Sequence, residues 1–276
     1  MDMVATSWRL TPQILPQLSP KVKSFRVYSS SSSLSPSPIT QKTLSSIQNS
    51  GVIACLRANS AALAYEAATA AVKGGISVLE IVMSTPGVFQ VLRQLVKDYP
   101  TLALGVGTVL NAEDARNSMN AGAKFLTSPA TVKDIMDDFQ KDEVLYIPGV
   151  MTPTEILSAY DAGSKIVKVS AIRFPYLTKL VKQLVMRWGC HDLTPCAQPA
   201  HKLYRGYISS GASSVVLSDA IFNQEAMAQR NFSAVYQLAS LAALEGKEAV
   251  ERGVMTEMTV HGKFSGQILD DFFIRR

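Results

Sequence analysis

From residue 40 onward, short apolar runs rich in β-branched residues alternate with stretches whose apolar positions recur every three to four residues. The pattern predicts a leading helix over residues 40–48 and strands over 51–57, 76–83, 102–106, 124–127, 144–147, 166–169 and 214–217. Helices follow over 60–73, 86–97, from Asn111 onward, and over 225–241. This is the pattern of repeated βα units, which build a parallel sheet. Seven units, with a slot of suitable length before the last, point to eight, the number that closes an α/β barrel of the (βα)8 type. The competing architecture is an open doubly wound sheet. Its fingerprint is G-x-G-x-x-G at a strand-to-helix turn, and Gly105-Val-Gly107-Thr108-Val-Leu lacks the third glycine.

Parity along the strands then selects candidate chemistry, because barrel enzymes place reactive groups on inward positions near the C-terminal strand ends. In the second strand Val78, Glu80, Val82 and Ser84 share one face, and Leu79, Ile81 and Met83 share the other. A carboxylate inside so apolar a run is costly to bury without a partner or a task. In the sixth strand Lys168 shares a face with Ile166 and Ser170, while Lys165 has the opposite parity. Desolvation among apolar neighbours penalises the charged amine, so Lys168 is expected to supply free amine able to attack a ketone. A structural ion pair between Lys168 and Glu80 is the alternative reading of the same two residues.

Composition changes the picture mainly at the ends. Of 27 basic and 22 acidic residues, Arg9, Lys21, Lys23, Arg26 and Lys42 fall in the first 43 positions against Asp2 alone, leaving the body of the chain near neutral. No basic stripe interleaved with aromatics remains there, which sets nucleic-acid binding aside. Residues 1–39 are Ser-rich, acid-poor and interrupted by five prolines, the composition of a transit peptide. Those prolines would break an amphipathic presequence helix, so chloroplast is expected over mitochondrion. Residues 40–245 form the expected barrel, and residues 246–276 an extension without a motif. No apolar run is long enough to span a bilayer, so no membrane partner is expected. Cys55, Cys190 and Cys196 make no disulfide framework.

Five motifs in order, Gly74-Gly-Ile-Ser-Val-Leu-Glu80, Gly105-Val-Gly-Thr108-Val-Leu-Asn111, Thr127-Ser-Pro129, Ile147-Pro-Gly-Val and the Lys168 strand, resemble one family. It is that of the 2-dehydro-3-deoxy-phosphogluconate (KDPG) and 4-hydroxy-2-oxoglutarate (KHG) aldolases. The resemblance implies a TIM barrel and a class I lyase that needs no metal or cofactor and splits a 2-keto-4-hydroxy acid into pyruvate and an aldehyde. By that resemblance Lys168 is the Schiff-base lysine and Glu80 the acid/base residue. Thr108 and Pro129 match positions lining the pyruvate pocket, and Ser218 a serine near the phosphate. Arg57, at the end of the first strand, is a candidate for the substrate carboxylate, since a guanidinium fork suits that geometry. The family also implies a homotrimer.

Three departures stand out. The arginine that many family members carry four residues after the glutamate is Ser84 here, and the Phe-Phe-Pro that often follows the lysine is Val169-Ser170-Ala171. The third is the slot for the seventh strand, where residues 185–206 contain no β-branched run. Cys190, His191, Cys196 and His201 lie in that segment without the paired spacing of structural zinc ligands, so no metal site is read there. The segment reads as altered coding text, from a shifted frame or alternative splice, with a damaged seventh strand and a half-built phosphate site. The competing functional reading is therefore a catalytically degenerate isoform or a non-enzymatic plastid binding protein. Another lyase working through the same imine, such as a 2-keto acid decarboxylase, is a weaker option.

Overall fold

Strand β1 (Val52–Leu56) is the centre of a parallel sheet. The structure, a computed structural model, describes residues 37–138, 144–169, 193–197, 208 and 212–264. In chain order β1 is preceded by α1 (Pro38–Ser50) and followed by α2 (Ala61–Lys73), β2 (Val78–Val82), α3 (Val88–Asp98) and β3 (Ala103–Gly107). Next come α4 (Ala112–Asn120), β4 (Phe125–Thr127), α5 (Lys133–Asp138), β5 (Leu145–Ile147), β6 (Gly149–Val150) and α6 (Pro153–Asp161). The described chain ends with β7 (Val167–Val169), β8 (Leu193–Ala197), β9 (Val215–Leu217), α7 (Gln224–Ala228) and α8 (Phe232–Phe264).

The strand order is β5-β4-β3-β2-β1-β9-β8-β7-β6. Its two end members are consecutive in the chain and separated by Pro148 alone. Together β5 and β6 make a single stave, whose first half bonds β4 and whose second half bonds β7. The ring therefore closes with eight staves, as the alternation of units predicts. Proline lacks the amide that a continuous ladder would need, which explains the break. Its carbonyl still accepts the Lys168 amide at 2.9 Å.

The expectation of a damaged seventh strand is corrected by β8, which occupies that slot and pairs in parallel with β7 and β9. Two flanking strands with open edges supply the pairing that local propensity does not. Pro195 stands opposite Val169 in the register. Cys190, His191 and His201 lie outside the described residues, as does the remainder of the segment read as altered coding text.

Alternation along the strands divides the core in two. Ile53, Val78, Ala103, Phe125, Leu145 and Val216 point inward, and Leu44 and Ile47 of α1 join this cluster. Leu56, Leu79, Ile81, Leu104, Val106 and Leu126 point outward against the helices. The amphipathic α1 is held at its start by the Ser37 hydroxyl, which accepts the Thr40 amide at 3.2 Å. The last helix does not stop near residue 241 as predicted. It runs through Gly246, where an added Cβ would lie 2.8 Å from the Ser50 carbonyl oxygen and 2.6 Å from Val52 Cγ2. That glycine permits close packing on the start of β1, so the boundary expected at residue 245 falls inside a continuous helix.

Helix α6 braces the strand carrying Lys168, because Ile156 and Ala159 pack on Val150, Val167 and Val169. It begins with a capping box in which Thr152 Oγ1 accepts the Glu155 amide at 3.3 Å. In return, Glu155 accepts the Met151 and Thr152 amides at 2.7 and 2.8 Å. The Met151 amide and then the Thr152 amide hold the Glu155 carboxyl below its ordinary value of 4.5. A depressed carboxyl contributes stability that is complete above its unfolded value and is lost as pH falls through the folded one. Glu155→Gln is therefore expected to lower stability at pH 7 by only about a few tenths of a kcal/mol, because solvent screens the exposed carboxylate. In denaturation of both proteins at pH 7 and pH 3, the gap between them should narrow at pH 3.

Candidate active site

Glu80 lies in the middle of β2 with an inward side chain, and it is 1% exposed. Lys168 lies in the middle of β7, across the barrel interior. The amine reaches the carboxylate, with Nζ 3.3 Å from Oε1 and 3.5 Å from Oε2. Exposure differs sharply within the pair, 13% for the lysine side chain against 1% for the glutamate. The lysine side chain thus keeps some exposure while its amine contacts the buried acid.

Two glycines make this arrangement possible. A Cβ added at Gly107 would lie 1.8 Å from Glu80 Oε1, so the carboxylate occupies the space a side chain on β3 would fill. One layer down, a Cβ at Gly105 would lie 2.5 Å from Phe125 Cε2. The phenyl ring therefore forms an apolar floor at the level of Gly105, which pairs with Glu80 on one side and Phe125 on the other. Gly-Val-Gly in β3 makes room for one aromatic ring and one carboxylate.

Cys55, beside Glu80 in the register, donates from Sγ to Oε1 at 3.6 Å. Parity marks this residue too, since Ile53, Cys55 and Arg57 share a face, yet sequence reasoning passed over it as one of three cysteines that make no disulfide framework. Thr127 was likewise quoted only as part of a motif. It sits on the inward face at the end of β4, and it is 1% exposed.

The remaining predicted residues stand at the C-terminal rim. Arg57 follows β1 and is exposed, with no hydrogen-bond or ion-pair partner among the described residues. Its loop is tied down by the buried Thr85, whose hydroxyl accepts the Ala58 amide at 3.3 Å. Thr108 follows β3 with a φ of 60°, a left-handed conformation that a β-branched residue adopts at a cost of about 1–3 kcal/mol. Pro129 is exposed after β4, and its backbone packs where a Cβ at Gly149 would lie, 2.2 Å from the proline carbonyl carbon. Ser218 is half-buried at the end of β9, where its carbonyl accepts the Ile221 and Phe222 amides.

A polar chain fixes the Thr108 and Pro129 loops together. Ser128 donates to the Val109 carbonyl at 2.6 Å, Tyr146 donates to Ser128 Oγ at 3.0 Å, and the Val132 amide donates to the Tyr146 hydroxyl at 3.1 Å. Burial pushes the Tyr146 phenol above its usual value, so it remains a donor at neutral pH. Glu80, Lys168, Cys55 and Thr127 thus face the interior, while Arg57, Thr108, Pro129 and Ser218 surround its mouth. Ser84, the family's arginine position, is exposed at the same rim.

A family model described as KDPG and KHG aldolase matches residues 44–238. Among individual relatives, the 2-dehydro-3-deoxy-phosphogluconate aldolase of Pseudoalteromonas atlantica is 33% identical over 96 residues, 35% of this chain and 45% of that protein. The KHG/KDPG aldolase of Escherichia coli is 33% identical over 98 residues, covering 36% of this chain and 46% of the relative. The chain thus spans about half the length of these curated relatives. Among solved structures, the KDPG aldolase of Legionella pneumophila, with pyruvate captured as a covalent carbinolamine, superposes with a TM-score of 0.64 at 24% identity. That alignment covers 72% of this chain and 97% of the other, and it speaks for the fold. With the matched span running from α1 into α8 and enclosing the whole lysine–glutamate barrel, the chain belongs to the KDPG and KHG aldolase family.

Proposed function

We propose that the protein is a class I aldolase that cleaves a 2-keto-4-hydroxy acid, such as 2-dehydro-3-deoxy-6-phosphogluconate or 4-hydroxy-2-oxoglutarate, to pyruvate and an aldehyde. The observation that carries this reading is the Lys168 Nζ to Glu80 Oε1 approach of 3.3 Å inside the barrel. Across that distance Glu80 takes a proton from the ammonium, leaving an amine that adds to the C2 carbonyl. One proton of the attacking nitrogen passes to the new alkoxide, giving a carbinolamine, and Glu80 returns its proton to the carbinolamine hydroxyl, which departs as water and leaves a protonated imine. The carboxylate, now free, accepts the C4 hydroxyl proton while the bond between C3 and C4 breaks. Its electron pair moves into the imine to form an enamine, and protonation at C3 followed by hydrolysis releases pyruvate.

Arg57 and the Thr108 and Pro129 loops are proposed to receive the substrate carboxylate, and Ser218 a phosphate where the substrate has one. The test is borohydride reduction in the presence of pyruvate, followed by peptide mass spectrometry. A reduced adduct on Lys168 is expected, together with pyruvate release from one of the two hydroxy-keto acids. A folded protein forming no adduct would overturn the reading. A homotrimer and a chloroplast destination belong to the same proposal, supported by the family resemblance and by the leader's composition. Light scattering and a fluorescent fusion test these two.

A further inference from the structure

Among the described residues of the inner wall, Thr127 carries a hydroxyl that the reaction above does not use. Thr127 is 1% exposed, and its hydroxyl is buried without a hydrogen-bond partner among the described residues. Buried hydroxyls are nearly always paired, so an orphan on an inner wall asks for a ligand. Its direction follows from its neighbours. Phe125 and Ile147 belong to the interior cluster, and Ser128 and Tyr146 are engaged outside it. Since Thr127 shares parity with Phe125 and pairs with Ile147, its side chain faces inward.

Position along the ring narrows what it can touch. On one side is β3, where the place of a Gly107 side chain is taken by the Glu80 carboxylate. On the other is the β5–β6 stave, whose Gly149 pairs with Lys168. The hydroxyl therefore lies on the arc of wall between the acid and the amine. A keto acid placed for attack by Lys168 can turn the oxygen of its reacting carbonyl toward that arc.

Resting on the aldolase reading, we propose that the Thr127 hydroxyl donates a hydrogen bond to the C2 carbonyl oxygen of the keto acid. As Nζ adds to C2, the carbonyl electron pair moves onto that oxygen, and a donor already aimed at it binds the developing charge more tightly than the ketone. Thr127 keeps its proton throughout. Two protons leave with the oxygen as water: one passes from the attacking nitrogen to the alkoxide, and the other is supplied by Glu80.

The initial rate of borohydride-trapped adduct on Lys168, measured at subsaturating pyruvate, tests this in Thr127→Val and Thr127→Ser. Valine matches threonine in shape and lacks the hydroxyl, so trapping is expected to slow roughly tenfold or more. Serine should restore most of that rate. Melting temperature separates binding from architecture. Because the free protein loses no hydrogen bond, Thr127→Val should melt at or above the wild type. Wild-type trapping in Thr127→Val overturns the proposal, and so does a slowed Thr127→Val that melts lower. If the wild type itself forms no adduct, the aldolase reading and this proposal fall together. An adduct in the wild type with an unaffected valine variant removes this proposal alone.

Discussion

Lys168→Met is expected to abolish the borohydride-trapped pyruvate adduct and to lower turnover by roughly three orders of magnitude or more, because the proposed reaction has no path around its nucleophile. The same substitution leaves Glu80 in the interior, 1% exposed, without its cation. Breaking a buried pair from one side costs about 3–5 kcal/mol. The lower end applies here, since the lysine side chain is 13% exposed and partly screened by solvent. The double variant Lys168→Met, Glu80→Gln should regain much of that stability and none of the activity. Denaturation and adduct trapping on the two proteins therefore separate the chemical role of the pair from its structural one. A Lys168→Met protein that still traps pyruvate would place the reactive amine elsewhere.

Gly107→Ala is expected to have the next largest effect. Its new methyl group would fall 1.8 Å from Glu80 Oε1, far inside van der Waals contact, so the carboxylate must move. Overpacking of this kind costs about 1–3 kcal/mol. A displacement of about 1 Å in a reacting group can cost on the order of a hundredfold in rate, so turnover should drop to that extent. The diagnostic measurement is a double-mutant cycle with Glu80→Ala. With the carboxylate removed, the added methyl has space, and the destabilisation caused by Gly107→Ala should largely vanish. If the alanine costs the same stability with and without Glu80, the two groups do not compete for that space.

Strand parity made much of the site legible, since it singled out Glu80 and Lys168 before their separation was known. The barrel was legible for the same reason, as apolar runs at regular intervals mark units whose pairing follows chain order. Four features were not. Leu193–Ala197 holds a proline and a cysteine in a stretch without a β-branched run, and its strand state comes from neighbours on both sides rather than from its own residues. Gly105 and Gly107 enter the sequence reading only as letters of motifs, because what fills the space above a glycine lies on other strands, here Phe125 and Glu80. Thr108 showed its residue type in the sequence, while its left-handed backbone became visible only in three dimensions. Gly246, at the start of the expected extension, answers to packing against Ser50 and Val52, which lie far from it in the sequence.

The stave divided at Pro148 has a mechanical consequence. Each of its halves clasps a different neighbour, and the amide of Lys168 itself fastens to the proline carbonyl. Loosening that joint would slacken the arc between the two reactive side chains by the shorter way round, leaving them tethered only through β1, β9 and β8. A molecule bonded to Lys168 and leaning on the β4 wall would straddle this joint.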